Sequence, residues 1–272
     1  MTAGAIGPFA ADLELALRLA DEADALTLRR FRATDLVVDT KPDLTPVSDA
    51  DRDVERLVRE RLGSQRPDDS VVGEEQGGDR PSAAWLGRRW VVDPIDGTKN
   101  FVRGVPVWAT LVALVDGTDP VVGVVSAPAL GRRWWATRGG GSWSTWAGDP
   151  ASEPRPLRVS GVRALTDASL SYSDRTGWPD GGDGFDRLSA ACWRTRAYGD
   201  FWSHVLVAEG AVDVAAEPDL SVWDVAALVA VVEEAGGRIT GREGGPVLLG
   251  GGAVTTNGLL HDEVIDRLSP RS

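Results

Sequence analysis

Two carboxylates, Asp93 and Asp96, stand three apart across a proline in "VVDPIDGTKNF", and Gly97 and Thr98 follow at once. Pro94 has no N–H to give a sheet ladder and Gly97 tolerates unusual dihedrals, so the strand is expected to end at Asp93 and turn, directing both acids into one space. Carboxylates that close repel one another unless a cation lies between them. Hard divalent ions such as Mg²⁺ take oxygen ligands of this kind, completed by waters and phosphate oxygens. If "TKNF" opens a helix, the Gly97 and Thr98 amides are placed to cradle a phosphate. Each dipeptide alone, Asp-Pro and Asp-Gly, reads equally well as a turn.

Two further acids join the set, and each also has a plain reading. Glu74, in "VVGEEQGG", follows a short apolar run and has glycines on either side, where a surface loop charge would serve as well. Asp224, in "SVWDVAALVAVVEEAGG", falls in the first turn of a helix, where Ser221 and Asp224 make an ordinary capping box. Other chemistries lack material. The single cysteine, Cys192, excludes an internal disulfide or a cysteine-rich zinc site, and "CWRTRAYG" has no arginine at the spacing of a cysteine-dependent phosphatase loop. Two histidines, His204 and His261, leave little for histidine-based metal binding or a Ser-His-Asp relay. Carboxylates must carry any chemistry.

These residues need a scaffold, and 272 residues suffice for one large domain or two closely packed ones. A hydrophobic fraction of 42% describes a globular chain, and no apolar run reaches the length of a membrane span. The N-terminus lacks the basic and apolar regions of a signal peptide, so a cytoplasmic location is expected. A net charge of -12 argues against a nucleic-acid or membrane surface, although an anionic phosphate can still bind through a divalent cation.

Along the chain, Leu13, Ala16, Leu17 and Ala20 form a helical stripe over residues 11–31. A second helix starts after Ser48, with Asp51 completing a capping box and Asp49 beside the helix N-terminus. From Trp90, short apolar runs separated by Gly, Pro and Asp predict a meander of strands. The polar connection over residues 147–158 divides the chain into an N-terminal α+β half, 1–150, and a C-terminal α/β half, 151–272. In the second half, "ASLSYS", "WRTRAY", "AVDVAAE" and "AVTTN" read as strands. Helices are expected over 200–210, over 222–235 and from residue 260.

The combination of "GEE", "WVVDPIDGTKNF", "WDVAAL" and "EAGG" closely resembles the inositol monophosphatase family of Mg²⁺-dependent, Li⁺-sensitive phosphatases, over nearly the whole chain. Within it, "RAYGDFWSHVLVAEGAVDVAAEP" and "DTKPDLTPVSDAD" look most like the histidinol-phosphate phosphatase branch. The resemblance implies an α/β fold, a layered α/β/α/β/α sandwich of the inositol monophosphatase and sugar phosphatase type, with one integrated site at the junction of the halves. It implies that Glu74, Asp93 and the Ile95 carbonyl hold one Mg²⁺, that Asp93, Asp96 and Asp224 hold a second, and that a third, looser ion sometimes joins. Asp49 would work with Thr98 to orient and deprotonate the attacking water, and the Gly97 and Thr98 amides would hold the phosphate. A metal pair roughly 3.5 to 4 Å apart supports in-line attack by metal-activated water, with no phosphoenzyme. A homodimer is also usual in the family.

Substrate selection then turns on Asp200, where a carboxylate suits the ammonium of histidinol phosphate better than an uncharged polyol. Asp200 could also cap the helix that begins there. Glu217 matches a family position that contacts the leaving group, and as a bare feature it is a loop charge. Lys99 and His204 stay open, the first between phosphate and solvent, the second between the substrate imidazole and simple packing. Inositol 1-phosphate is the alternative substrate, and a non-catalytic metal-binding regulator the alternative class. The first expectation is an enzyme hydrolysing a small phosphate monoester, with no nucleic acid and no membrane.

Overall fold

In this computed structural model, which describes residues 3–5, 7–78, 85–149 and 153–270, the first apolar stripe forms α1 (Ala10–Arg30). A short antiparallel pair, β1 (Val38–Thr40) and β2 (Pro46–Ser48), leads into α2 (Asp49–Gln65). The Ser48–Asp51 capping box is present: the Ser48 amide and hydroxyl donate to Asp51 Oδ2 at 2.8 and 2.5 Å. β3 (Ser70–Gly73) and β4 (Arg88–Asp96) follow, then the short α3 (Thr98–Val102), and then β5 (Ala109–Asp116), β6 (Asp119–Ala127), β7 (Arg132–Thr137), β8 (Gly141–Trp146) and β9 (Arg155–Pro156). These seven strands form one sheet in sequence order. All pairs are antiparallel except β3 with β4.

The second half opens with β10 (Ser169–Tyr172), α4 (Asp183–Ala191) and β11 (Arg194–Ala197), followed by α5 (Asp200–Ala208), β12 (Val214–Glu217) and α6 (Val222–Glu234). It closes with β13 (Arg238–Thr240), β14 (Ala253–Thr256) and α7 (His261–Leu268). Its five-stranded sheet has the order β11-β10-β12-β14-β13, parallel through β11, β10 and β12 and antiparallel beyond.

Burial gives the layers. One core packs α1 and α2, through Leu13, Leu19, Val54 and Val58, onto the face of the large sheet bearing Trp90, Val92 and Val124. A second core fills the opposite face with α5 and α6, reaching across to Ile239 and Ala253 of the small sheet. A third packs α4 and α7 onto the outer face of that sheet. The result is the expected α/β/α/β/α sandwich. Helix α6 is apolar nearly all round because sheets cover it on both sides, as for any helix without a solvent face.

Three details differ from the sequence reading. β4 does not stop at Asp93: it runs to Asp96, with a register shift between the two aspartates that lets both side chains leave the ladder on one side. The polar connection is not wholly outside the first sheet, because Arg155–Pro156 pairs with β8. The two sheets part between residues 156 and 169, and residues 150–152 of that connection lie outside the described residues. The third is α4 (Asp183–Ala191), a helix that no pattern in the sequence predicts.

Candidate active site

The bulged end of β4 and the first turn of α6 meet at one point between the two halves. Oxygens of Asp93, Asp96 and Asp224 lie within 4.8 Å of one another, the one such acidic group among the described residues. Asp93 is 1% exposed and Asp96 7%. Burial holds the Asp93 carboxyl well above the usual range, reinforced by the negative charges of Glu74, Asp96 and Asp224. Asp96 is raised in the same way, by burial and then by Asp200 and Asp224. Asp224 is pushed up to about 7, chiefly by burial, although the Ser221 amide donates to its Oδ2 at 2.6 Å. The ordinary capping box is therefore real, and it also turns this carboxylate toward the cluster.

Two buried acids and a half-buried third, all with raised affinities for a proton, are a site short of positive charge. Asp93 Oδ1 is buried without a hydrogen-bond partner. The donor set is oxygen only, and no histidine or cysteine joins it. A hard divalent cation is the group such a set fits, since it supplies the missing charge and takes carboxylate and carbonyl oxygens.

Glu74 lies on the loop after β3, close enough to raise both Asp93 and Asp224 through its charge. Its Oε1 accepts from Lys41 Nζ at 2.7 Å, and the same ammonium donates to Glu75 at 2.6 Å. Glu74, Gly97, Thr98, Lys99, Asp200, Trp223 and Asp224 line a single cleft of about 310 Å³. Gly97 takes φ +84 as the residue before α3, and a Cβ there would meet Asp200 Oδ2 at 3.3 Å and the Val107 carbonyl at 3.1 Å. Only glycine allows that turn and that approach.

The residue expected to work with Thr98 is the main correction. Asp49 does not reach it. As the first residue of α2, Asp49 points outward into an ion pair with Arg30 at 2.6 Å and is 31% exposed. Two residues on, Asp51 turns back over the helix start to complete the capping box, and its Oδ1 lies 3.3 Å from Thr98 Oγ1, a hydroxyl also 3.0 Å from the Ile95 carbonyl. Burial raises the Asp51 carboxyl above its ordinary value. From the sequence Asp51 has only a capping-box role, and it is that hydrogen bond back to Ser48 that turns Asp51 inward.

On the substrate side, Asp200 holds φ +50, a left-handed conformation rare for a non-glycine residue. It does not cap α5, whose N-cap is Gly199. Instead Asp96 Oδ2 accepts the Phe201 amide at 2.6 Å, so the cluster itself ties down the start of α5. Burial pushes Asp200 up to about 6, an effect Lys99 partly opposes, and Asn100 Nδ2 lies 3.4 Å from its Oδ2. Lys99 is exposed but lines the cleft.

Glu217 is 1% exposed, accepts from the Ser173 hydroxyl and amide, and is pushed up to about 8 by burial. Its second oxygen, Oε1, has no partner. It is no surface loop charge. His204 faces away from the cleft: it is fully buried against β14, with Nδ1 2.7 Å from Thr255 Oγ1, and burial pulls it down to about 4, so it is neutral.

The family model described as the inositol monophosphatase family matches residues 11–270. A protein of Mycobacterium tuberculosis named histidinol-phosphatase is 60% identical over 260 residues, covering 95% of this chain and 98% of its own. A protein of the same name from Streptomyces coelicolor is 55% identical over 267 residues, covering 96% and 97%. Among solved structures, an inositol monophosphatase from Zymomonas mobilis superposes with a TM-score of 0.82 at 30% identity, covering 97% of this chain and 99% of its own. An IMPase from Thermotoga maritima gives 0.81 at 28% identity, covering 95% and 96%.

Proposed function

Because the chain belongs to the inositol monophosphatase family, we propose that this phosphomonoesterase hydrolyses L-histidinol phosphate to L-histidinol and inorganic phosphate, as a step of histidine biosynthesis. Near-full-length identity to two chains named histidinol-phosphatase carries the substrate assignment. The geometry supports it at Asp200, a largely buried carboxylate at the wall of the cleft that can receive an ammonium group through a charge-assisted hydrogen bond.

Glu74, Asp93, the Ile95 carbonyl, Asp96 and Asp224 would hold two Mg²⁺ ions, with a third looser ion and Li⁺ inhibition as in the family. When bound, such ions supply Lewis acidity toward the phosphoryl oxygens and make a nearby water more acidic. The chain's own residues do the rest. The Gly97 and Thr98 amides hold the phosphate at the head of α3. Thr98 Oγ1 orients the attacking water, and Asp51, already burdened by burial, accepts its proton through that hydroxyl. Asp200 fixes the ammonium of the leaving group, and Glu217 lies near enough to Asp200 to feel its charge. The two halves, which part between residues 156 and 169, act as one catalytic unit, in a cytoplasmic homodimer.

Inositol 1-phosphate is the second reading, supported by likeness to solved inositol monophosphatases at 28% to 30% identity and to a Rhizobium meliloti chain named inositol-1-monophosphatase at 36%. The two are separated by comparing histidinol phosphate with its analogue lacking the amino group. Loss of kcat/KM by roughly 10- to 150-fold on removing the amine matches the 1.5–3 kcal/mol of a hydrogen bond to a charged group. Equal turnover of both would remove Asp200 from substrate recognition.

A further inference from the structure

Glu74 stands on a loop with little of its own to hold it still, since residues 73–77 close on themselves only through the Gly73 amide to the Gly77 carbonyl at 3.1 Å. Lys41 holds the side chains of Glu74 and Glu75, but what fixes the loop backbone comes from α2. Glu55, fully buried, aims both carboxylate oxygens at it: Oε2 accepts the Glu75 amide at 2.6 Å and Oε1 the Gln76 amide at 3.1 Å. One turn further along, Arg59 donates to Glu55 Oε1 at 2.8 Å and to the carbonyls of Val71 and Gly77 at 3.3 and 2.5 Å. Gly73 makes room for the clamp, because a Cβ there would lie 2.3 Å from Glu55 Oε1.

We infer that Glu55 is a positioning residue that sets Glu74 for divalent-cation binding, by gripping the backbone of the 73–77 loop from α2. The inference rests on the proposed metal role of Glu74. Glu55 touches neither the acidic cluster nor the cleft lining, so its effect passes through the loop backbone. A carboxylate is the right group there, because it accepts two neighbouring amide hydrogens and a guanidinium together, and these charge-assisted bonds are stronger than neutral ones. α2 thereby carries both Asp51, at its head, and the anchor of Glu74, a turn later. Groups behind a metal ligand that fix its orientation typically change metal affinity by about 10- to 100-fold when altered.

The test titrates the full chain with Mn²⁺, following free ion by electron paramagnetic resonance, and measures the Mg²⁺ half-saturation of phosphate release. In Glu55→Gln, one amide hydrogen meets an NH₂ donor instead of an oxygen; Glu55→Asp keeps the charge but falls a methylene short. Both are expected to raise the Mn²⁺ dissociation constant by about tenfold or more and shift Mg²⁺ half-saturation in parallel, while kcat at saturating Mg²⁺ stays near that of the unsubstituted enzyme. Should neither fold, Arg59→Met, at a partly exposed position holding the same loop, is expected to act in the same direction. Unchanged Mn²⁺ affinity in the folded variants, with or without a lower melting temperature, overturns the positioning role alone. Absence of any saturable Mn²⁺ site in the unsubstituted protein overturns the metal reading beneath it.

Discussion

Removing divalent ions while varying pH should expose the electrostatic cost of the acidic cluster. A carboxyl whose folded pKa exceeds its unfolded value keeps its proton longer in the folded chain, so the associated stability is greatest below the unfolded pKa and is lost as pH rises through the folded one. For Asp224 that window runs from 3.8 to about 7. Asp93 and Asp96 are raised in the same sense by burial and mutual repulsion. Counting Asp224 alone, the change from pH 5 to pH 8 amounts to about two pKa units, or about 3 kcal/mol. At a little under about 2 °C per kcal/mol for a chain of 272 residues, that is roughly 5 °C in melting temperature.

Absolute melting curves would blur this, because His204 and His261 are both pulled down to about 4 and gain stability as pH rises toward 6.5. The informative quantity is the difference between thermal melts in Mg²⁺ and in chelator at each pH, from which the histidine contributions cancel. That difference should widen steadily from pH 5 to pH 8. A difference independent of pH, or no Mg²⁺ effect at any pH, would refute the assignment of these buried acids to a cation site.

Three substitutions test individual residues. Asp93→Asn should reduce Mg²⁺-dependent phosphate release to background yet raise the melting temperature in chelator, since one buried like charge is removed; a lower chelator melting temperature would contradict the repulsion. Asp51→Asn should lower kcat by about 10²- to 10⁴-fold, the range for a lost general base, whereas Asp49→Asn should spare kcat and cost at most about 1 kcal/mol of stability through its partly exposed pair with Arg30. The reverse ranking in steady-state assays would return the role to Asp49. Asp200→Ala should lose roughly 10- to 150-fold in kcat/KM on histidinol phosphate while sparing p-nitrophenyl phosphate; equal losses on both would make Asp200 merely structural.

Local periodicity made α1 and α2 legible, because each lays one apolar stripe against the large sheet, while α6 and the meander showed as apolar runs closed by Gly, Pro and Asp. The three-residue strands β1 and β13 are too short to show a period. α4 was hidden because it begins after the glycines of "GGDGF" and buries only Gly184, Phe185 and Leu188. The parallel register of β10 with β11 and β12 depends on crossovers through α4 and α5, which no local pattern reports.

Within the site, the spacing of Asp93 and Asp96 around Pro94, with Gly97 next, suggested a shared space but read equally well as two turns, and the family resemblance decided between them. Choosing between Asp49 and Asp51 required knowing which way the first turn of α2 faces. The capping box answers that, because its third helical residue must fold back to the Ser48 amide. The pairing of Glu217 with Ser173, distant in sequence and adjacent only across the small sheet, leaves no local trace. Glu55 reads as an unremarkable helix acid until the loop beyond β3 is seen to close over it.

The most direct test of the account is inorganic phosphate release by the purified chain from histidinol phosphate and from inositol 1-phosphate, side by side, with Mg²⁺ and with chelator. The account predicts chelator-sensitive release with kcat/KM favouring histidinol phosphate. Preference for inositol 1-phosphate, or release that survives the chelator, would contradict it.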